Sequence, residues 1–386
     1  MKKVEQQHYF DYAATTPVDP RVIAAMSECL GIDGIFGNPG SSSHSAGKDA
    51  RARVECARAQ VASLIGAEAG EIVWTSGATE SNNLALKGLV EGSPMRPGIV
   101  TSVLEHKAIL DTAASLQRRG TPVRYVRPEA DGSISPASVS SALREDTGLV
   151  SLMLVNNEIG TLTDIRAIAP LVHAAGALLH VDAAQALGKT SIDVKALDID
   201  LMSISAHKLY GPKGIGALYV RQDIASRIAP QMHGGGQERG LRSGTLATHQ
   251  IVGMGTACAL AAEVMSADNE RIEQLSARLV QGVAGLDGVT LNARRARRIA
   301  HTLSLCVDHM SFLPFQLGPY LAVSSTSACN SAAGTPSHVL RAIGLSSEAA
   351  GRTIRLSLGR YTTLEDVDYA IDCLRRLISS HDPAMV

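Results

Sequence analysis

The chain has 386 residues, with 36 Lys and Arg against 37 Asp and Glu, a net charge of −1 and 45% hydrophobic residues. That length allows one large domain and a smaller one, and the near-neutral balance exerts no global pull toward nucleic acid or an anionic membrane. No apolar run approaches the roughly 20 residues that span a bilayer, and the opening MKKVEQQH lacks the apolar core of a signal peptide. A cytoplasmic protein with no membrane contact and no direct nucleic-acid binding is expected. Six cysteines (Cys29, Cys56, Cys258, Cys306, Cys329 and Cys373) are spread without a C-x-x-C pair or a Cys/His cluster. Neither a disulfide framework nor a metal site is predicted.

Asp11–Pro17 reads as a turn-rich entry, Val22–Leu30 as a short helix and Gly37–His44 as a loop. A helix from Lys48 carries Val54, Ala57, Val61 and Leu64 on one face, with Gly66 as its C-cap. Glu71–Thr75 reads as a strand, and Ser76–Asn83 as a small-residue loop leading into a helix. Such a turn can bind an anion, because free backbone N–H groups and the helix dipole face the ligand; a plain helix cap is the bland alternative. Strands follow at Ile99–Ser102, Val123–Val126, Leu149–Val155, Ala177–Val181, Leu201–Ser205 and Ala217–Val220, most of them spaced by helical stretches. The pattern predicts an α/β fold whose large domain has a mainly parallel, seven-stranded sheet covered by helices. Ligands in such sheets gather beyond the carboxyl ends of the strands. Thr79, Glu105–His106, Asn157, Asp182 and Ser205–His207–Lys208 all follow apolar strands, so they are expected to share one pocket.

After about Ala262 a long helical pattern leads to strands at Leu303–Val307 and Thr353–Leu358 and a last helix. That helix is predicted to start with a capping box from Thr362 to Glu365 and to bury Leu364, Val367, Ile371, Leu374 and Ile378. The expected division is 15–262 for the large domain, with 1–14 and 263–386 forming a smaller α+β domain. Arg355 lies opposite the apolar face of Ile354, Leu356 and Leu358, where a guanidinium can grip a carboxylate or simply face solvent. Arg294, Arg295, Arg297 and Arg298 form a basic cluster that reads as a solvated face.

A lysine at a strand end, boxed in by Gly211, Gly214 and Gly216, is poorly explained as a solvated charge. An amine that attacks an aldehyde needs a lowered pKa and a fixed position, and this setting supplies both. Upstream, Asp182 ends a buried strand; a helix N-cap is its bland reading. A strand-end carboxylate paired with a strand-end lysine is what pyridoxal 5′-phosphate (PLP) requires, one group at the pyridine nitrogen and the other at C4′.

The segments H-V-D-A-A-Q and S-A-H-K-L-Y-G-P-K-G-I-G resemble the signature of the class V, fold-type I PLP enzymes. Among these the chain is similar to the cysteine desulfurases of the NifS/IscS type. The resemblance implies Lys208 as the Schiff-base lysine, Asp182 at the pyridine nitrogen and His106 stacked on the ring. It places Asn157 and Gln185 around O3′ and the substrate, Ala78, Thr79, Ser205 and His207 at the phosphate, and Arg355 on the substrate carboxylate. His233–Thr245 would reach across a homodimer interface, with Thr245 touching the neighbour's cofactor phosphate. Cys329, in a loop at about 322–335 and with no apolar residue wider than alanine across Ser324–Ser331, resembles the catalytic cysteine of long-loop desulfurases, with Thr326 and Asn330 departing from the family pattern. The implied reaction removes sulfur from L-cysteine, giving L-alanine and a Cys329 persulfide that passes to a sulfur-acceptor protein. Iron–sulfur cluster assembly, tRNA thiolation and DNA phosphorothioation are the candidate destinations. A selenocysteine lyase or a class V aminotransferase is the alternative.

Overall fold

The computed structural model describes residues 7–308, 312–325 and 336–379. Seven strands form its main sheet: β2 (Ile72–Thr75), β3 (Gly98–Ser102), β4 (Val123–Val126), β5 (Thr147–Met153), β6 (Leu178–Asp182), β7 (Leu201–Ser205) and β8 (Gly216–Val220). Their order is β2-β8-β7-β6-β5-β3-β4, and only β8 runs antiparallel to its neighbours. Most of these strands are buried throughout, which is why they read as continuous Val, Ile and Leu runs.

Side-chain alternation along the strands divides the core in two. Val73, Ile99, Leu149 and Leu178 face α3 (Ala78–Gly92) and α4 (Lys107–Arg118), packing on Leu84, Leu86 and Ile109. Ile72, Trp74, Val100, Val150 and Leu179 face the other way. There they meet α2 (Ser45–Leu64), α6 (Ile165–Ala174) and α7 (Thr248–Val283) through Val54, Ile168 and Met254. A one-residue slip would exchange the two faces, so the register is strongly specified.

Helix α7 is 36 residues long and runs unbroken past Ala262. Among the described residues it is the one helix long and apolar enough to cross a membrane, yet half of its apolar window is buried in the fold. Its Gly255 lets it approach α2 closely; a Cβ there would stand 2.6 Å from the Ala57 backbone. The other end of α7 contributes Ile272, Leu275 and Leu279 to a separate core. That core holds Phe10, Phe312, the antiparallel strands β9 (Val289–Leu291), β10 (Thr302–Val307) and β12 (Thr353–Ser357), and the helix Leu364–Ser379. Chain entry and exit meet here: β1 (His8–Tyr9) pairs in parallel with β11 (Leu321–Ala322).

Several local expectations shift. The first helix, α1, spans Pro20–Ser27 rather than reaching Leu30; Asp19 caps it and proline stands at its start. The last helix is capped one residue later than expected. The Thr363 side chain accepts from the Asp366 N–H and the Asp366 side chain accepts from the Thr363 N–H, so Leu364 stands at the rim and is 51% exposed. Val367, Ile371, Leu374 and Ile378 are buried as expected. In the basic cluster Arg294, Arg295 and Arg297 are exposed, but Arg298 turns inward and donates to the carbonyls of Asn292 and Thr302. Burial lowers its pKa to about 10.

Candidate active site

Strands β2, β3, β5, β6 and β7 all point the same way, since β8 is antiparallel to both β2 and β7. Their carboxyl ends deliver side chains to a cavity of about 480 Å³. Ala78, Thr79, His106, Asn157, Asp182, Gln185, Ser205, His207, Lys208 and Arg355 all line it. Of the expected site residues, Thr245 does not line it and is exposed, while Cys329 lies outside the described residues.

Asp182 ends β6 and is 6% exposed. Its Oδ2 accepts from Asn82 Nδ2 at 2.8 Å and its Oδ1 from the Ala184 N–H at 2.9 Å. The second contact is the helix-cap-like turn of the bland alternative, made by one carboxylate oxygen. Both donors are neutral. A buried carboxylate with two neutral donors favours a cation against it. Nothing in the sequence singles out Asn82 beyond its place four residues after Ala78, on the same face of α3.

His106 follows β3 and caps α4. Its Nδ1 accepts from the Ala108 N–H at 3.1 Å, so the neutral ring carries its proton on Nε2. Burial and then the Lys208 charge push its pKa down. Beside it, Glu105 is buried under the site with Ser102 Oγ donating to it, and burial raises its carboxyl to about 8. His207 is pushed down to about 4 by burial first and then by Lys208, Lys213 and Lys189. Its Nδ1 lies 3.1 Å from Thr15 Oγ1.

The loop Ser76–Gly77 enters α3 without a side-chain cap on the helix. Gly77 has φ +153, a region that only glycine adopts readily, and a Cβ there would point into open space. The helix N-terminus therefore offers backbone N–H groups to an anion at one end of the cavity. Glu80 is held back from it by Arg242, at 2.8 Å, and by the Ser76 N–H at 2.7 Å.

Arg355 also lines the cavity and is 3% exposed, so the solvent-facing alternative is excluded. Its Nη1 donates to the Asn157 carbonyl at 2.8 Å, and its Nη2 meets Asp11 at 2.7 Å and Ser324 Oγ at 3.1 Å. Among the described residues its buried Nε has no hydrogen-bond partner. Asp11 as the counter-ion is 344 residues away in sequence and carries no local signal. The cysteines in the described part divide simply: Cys29, Cys258, Cys306 and Cys373 are buried and Cys56 is exposed. Burial raises Cys258 to about 12, which leaves it a poor nucleophile.

The model of the class-V aminotransferase family matches residues 8–370. A protein named cysteine desulfurase IscS from Azotobacter vinelandii is 55% identical over 94% of this chain and 90% of its own length. Among solved structures, a NifS-like protein superposes with a TM-score of 0.88 at 36% identity, covering 97% of this chain and 100% of that one. Another, SspA in complex with cysteine, gives 0.83 at 38% identity and covers 92% and 100%. The chain belongs to the class-V aminotransferase family and, within it, to the NifS/IscS-type cysteine desulfurases.

The residues present fit PLP. The uncapped α3 terminus suits a phosphate, Asp182 suits a pyridinium, and Lys208 lines the same cavity.

Proposed function

We propose that this chain is a PLP-dependent L-cysteine desulfurase that stores the extracted sulfur on Cys329. The observation that carries the reading is Asp182, a buried carboxylate with two neutral donors, in one cavity with Lys208, His106 and Arg355. Bound PLP supplies an electron sink for electrons released at the substrate's α-carbon. Asp182 would hold the pyridine nitrogen protonated, Lys208 would hold the cofactor covalently, and Ala78, Thr79, Ser205 and His207 would surround the phosphate. Asn157 and Gln185 would flank O3′ and the substrate. Arg355 would orient the substrate carboxylate, with its Nε, which has no partner among the described residues, as one N–H still available. His106 is neutral and protonated at Nε2, so that atom is the one that can donate a hydrogen bond into the site. Cys329 takes up the sulfur as a persulfide, L-alanine leaves, and the persulfide passes to an acceptor protein.

The large unit at 15–262 would carry the cofactor, and 1–14 with 263–386 would carry the cysteine loop. In a homodimer Thr245, exposed here, would be free to reach the partner's site. The relative solved with cysteine supports L-cysteine as the substrate. The test is Cys329→Ser with intact bound PLP, assayed for sulfide and alanine from L-cysteine and for selenide from selenocysteine. Sulfide release should be lost. Undiminished release from cysteine would remove the sulfur-carrying role given to Cys329, and retained activity on selenocysteine alone would mark a selenocysteine lyase.

A further inference from the structure

Lys189 is absent from the site as the family resemblance draws it, yet it reaches that site through one contact. The turn after Asp182 winds helically: the N–H groups of Leu187 and Thr190 donate to the carbonyls of Ala183 and Ala186. Gln185 and Lys189, four residues apart, therefore fall on one face. Lys189 Nζ donates to Gln185 Oε1 at 2.8 Å. On the other side of the amide, Gln185 Nε2 donates to the Ala13 carbonyl at 2.8 Å. An ammonium can only donate and a backbone carbonyl can only accept, so these partners fix the amide in one orientation. The Lys189 backbone is itself held by Asn269 Nδ2 of α7, which donates to its carbonyl at 3.1 Å.

We infer that Lys189 is the positioning residue that turns the Gln185 amide so that it presents N–H, and not oxygen, to the cofactor cavity. The inference rests on the PLP reading above. Without Lys189 only the Ala13 carbonyl holds the amide, so its N–H is less firmly placed, and an oxygen facing an anionic ring oxygen would repel it where an N–H stabilises it. The charges around Lys189 agree with a donor that has been built in rather than left over. Burial first, then Lys208 and Arg355, bring its pKa down to about 7, and it in turn helps to depress buried His301. An unfavourable environment of this kind is tolerated where the group has a task to perform.

The experiment is a pH titration of the visible absorbance of PLP bound to the wild type and to Lys189→Met, Lys189→Arg, Gln185→Met and the Lys189→Met/Gln185→Met double variant. Equilibrium binding of PLP to each cofactor-free protein is measured alongside. A donor at the ring oxygen favours the deprotonated chromophore, so its loss should raise the spectroscopic pKa of Lys189→Met by about one unit. Lys189→Arg, which keeps a donor, should stay at the wild-type value. Gln185→Met should show the same rise, and the double variant no further one. Should Lys189→Met not fold, Lys189→Ala carries the same test with less crowding against Gln185. An unchanged titration in a folded, PLP-loaded variant, or additive rises in the double variant, overturns the role given to Lys189. Failure of the wild type to bind PLP would instead overturn the cofactor reading.

Discussion

Glu238→Gln perturbs the buried ion pair that fastens the His233–Thr245 segment to α2 and β2. Glu238 accepts from Arg58 Nη1 at 2.7 Å, Arg58 Nη2 at 2.8 Å and the Trp74 N–H at 2.8 Å. The two side chains are 5% and 2% exposed, and the Arg58 guanidinium lies 5.4 Å from the Trp74 ring centroid. The pair also holds strained backbone, since Glu238 and Arg239 have φ of +51 and +59. Glutamine offers one oxygen to three donors and turns its own NH₂ toward Arg58. Removing one partner of a buried pair costs about 3–5 kcal/mol. Glu55, 3.1 Å from Arg58 but largely exposed, keeps part of the charge balance and places the expected loss near the lower end, about 3 kcal/mol. Urea unfolding of the cofactor-free protein measures it without the stabilisation that bound PLP adds. The Arg58→Met/Glu238→Met double variant should recover most of the loss, because no unpaired charge remains. A loss in Glu238→Gln under about 0.5 kcal/mol, or a double variant worse than either single, would falsify this assignment of the pair.

Two further predictions concern the site and its sheet. Asp182→Asn leaves one acceptor for the two donors Asn82 and Ala184 and removes the charge expected at the pyridinium, so PLP affinity should fall about 10–100-fold while the protein stays folded. Spectroscopic PLP titration checks it, and an affinity within about twofold of wild type would exclude the assigned role. His180 is fully buried between Ser151 Oγ and Ser203 Oγ, and burial depresses its pKa to about 4. Below pH 6.5 the unfolded chain takes up the proton that the folded one refuses, so stability falls as pH drops from about 6.5 to 4. The contribution is about 3 kcal/mol at the lower end. The His180 ring protons should therefore show no NMR titration between pH 8 and 5; a midpoint near 6.5 would contradict this.

The sheet and most of the pocket were legible because both depend on short-range pattern. Buried parallel strands are unbroken apolar runs, and Asp182, His106 and Lys208 stand where those runs stop. The residues that complete the site depend instead on tertiary placement. Asp11 reaches Arg355 only after its own backbone is bridged to Ser357 of β12, Asn82 reaches Asp182 across 100 residues, and Glu238 reaches Arg58 across 180. Local wording also misled at the small scale. Thr362 and Glu365 match a capping box as well as Thr363 and Asp366 do, and only the backbone geometry chooses between them. Arg298 looks like its neighbours in the basic cluster until the chain folds it onto the Thr302 carbonyl.

The central claim is that one amine, at the end of β7, carries the cofactor. The direct measurement is borohydride reduction of the PLP-loaded protein, followed by peptide mapping. The account predicts a single pyridoxyl adduct on Lys208. An adduct on Lys189 or Lys213 in place of Lys208, or no adduct in protein supplied with ample PLP, would contradict it.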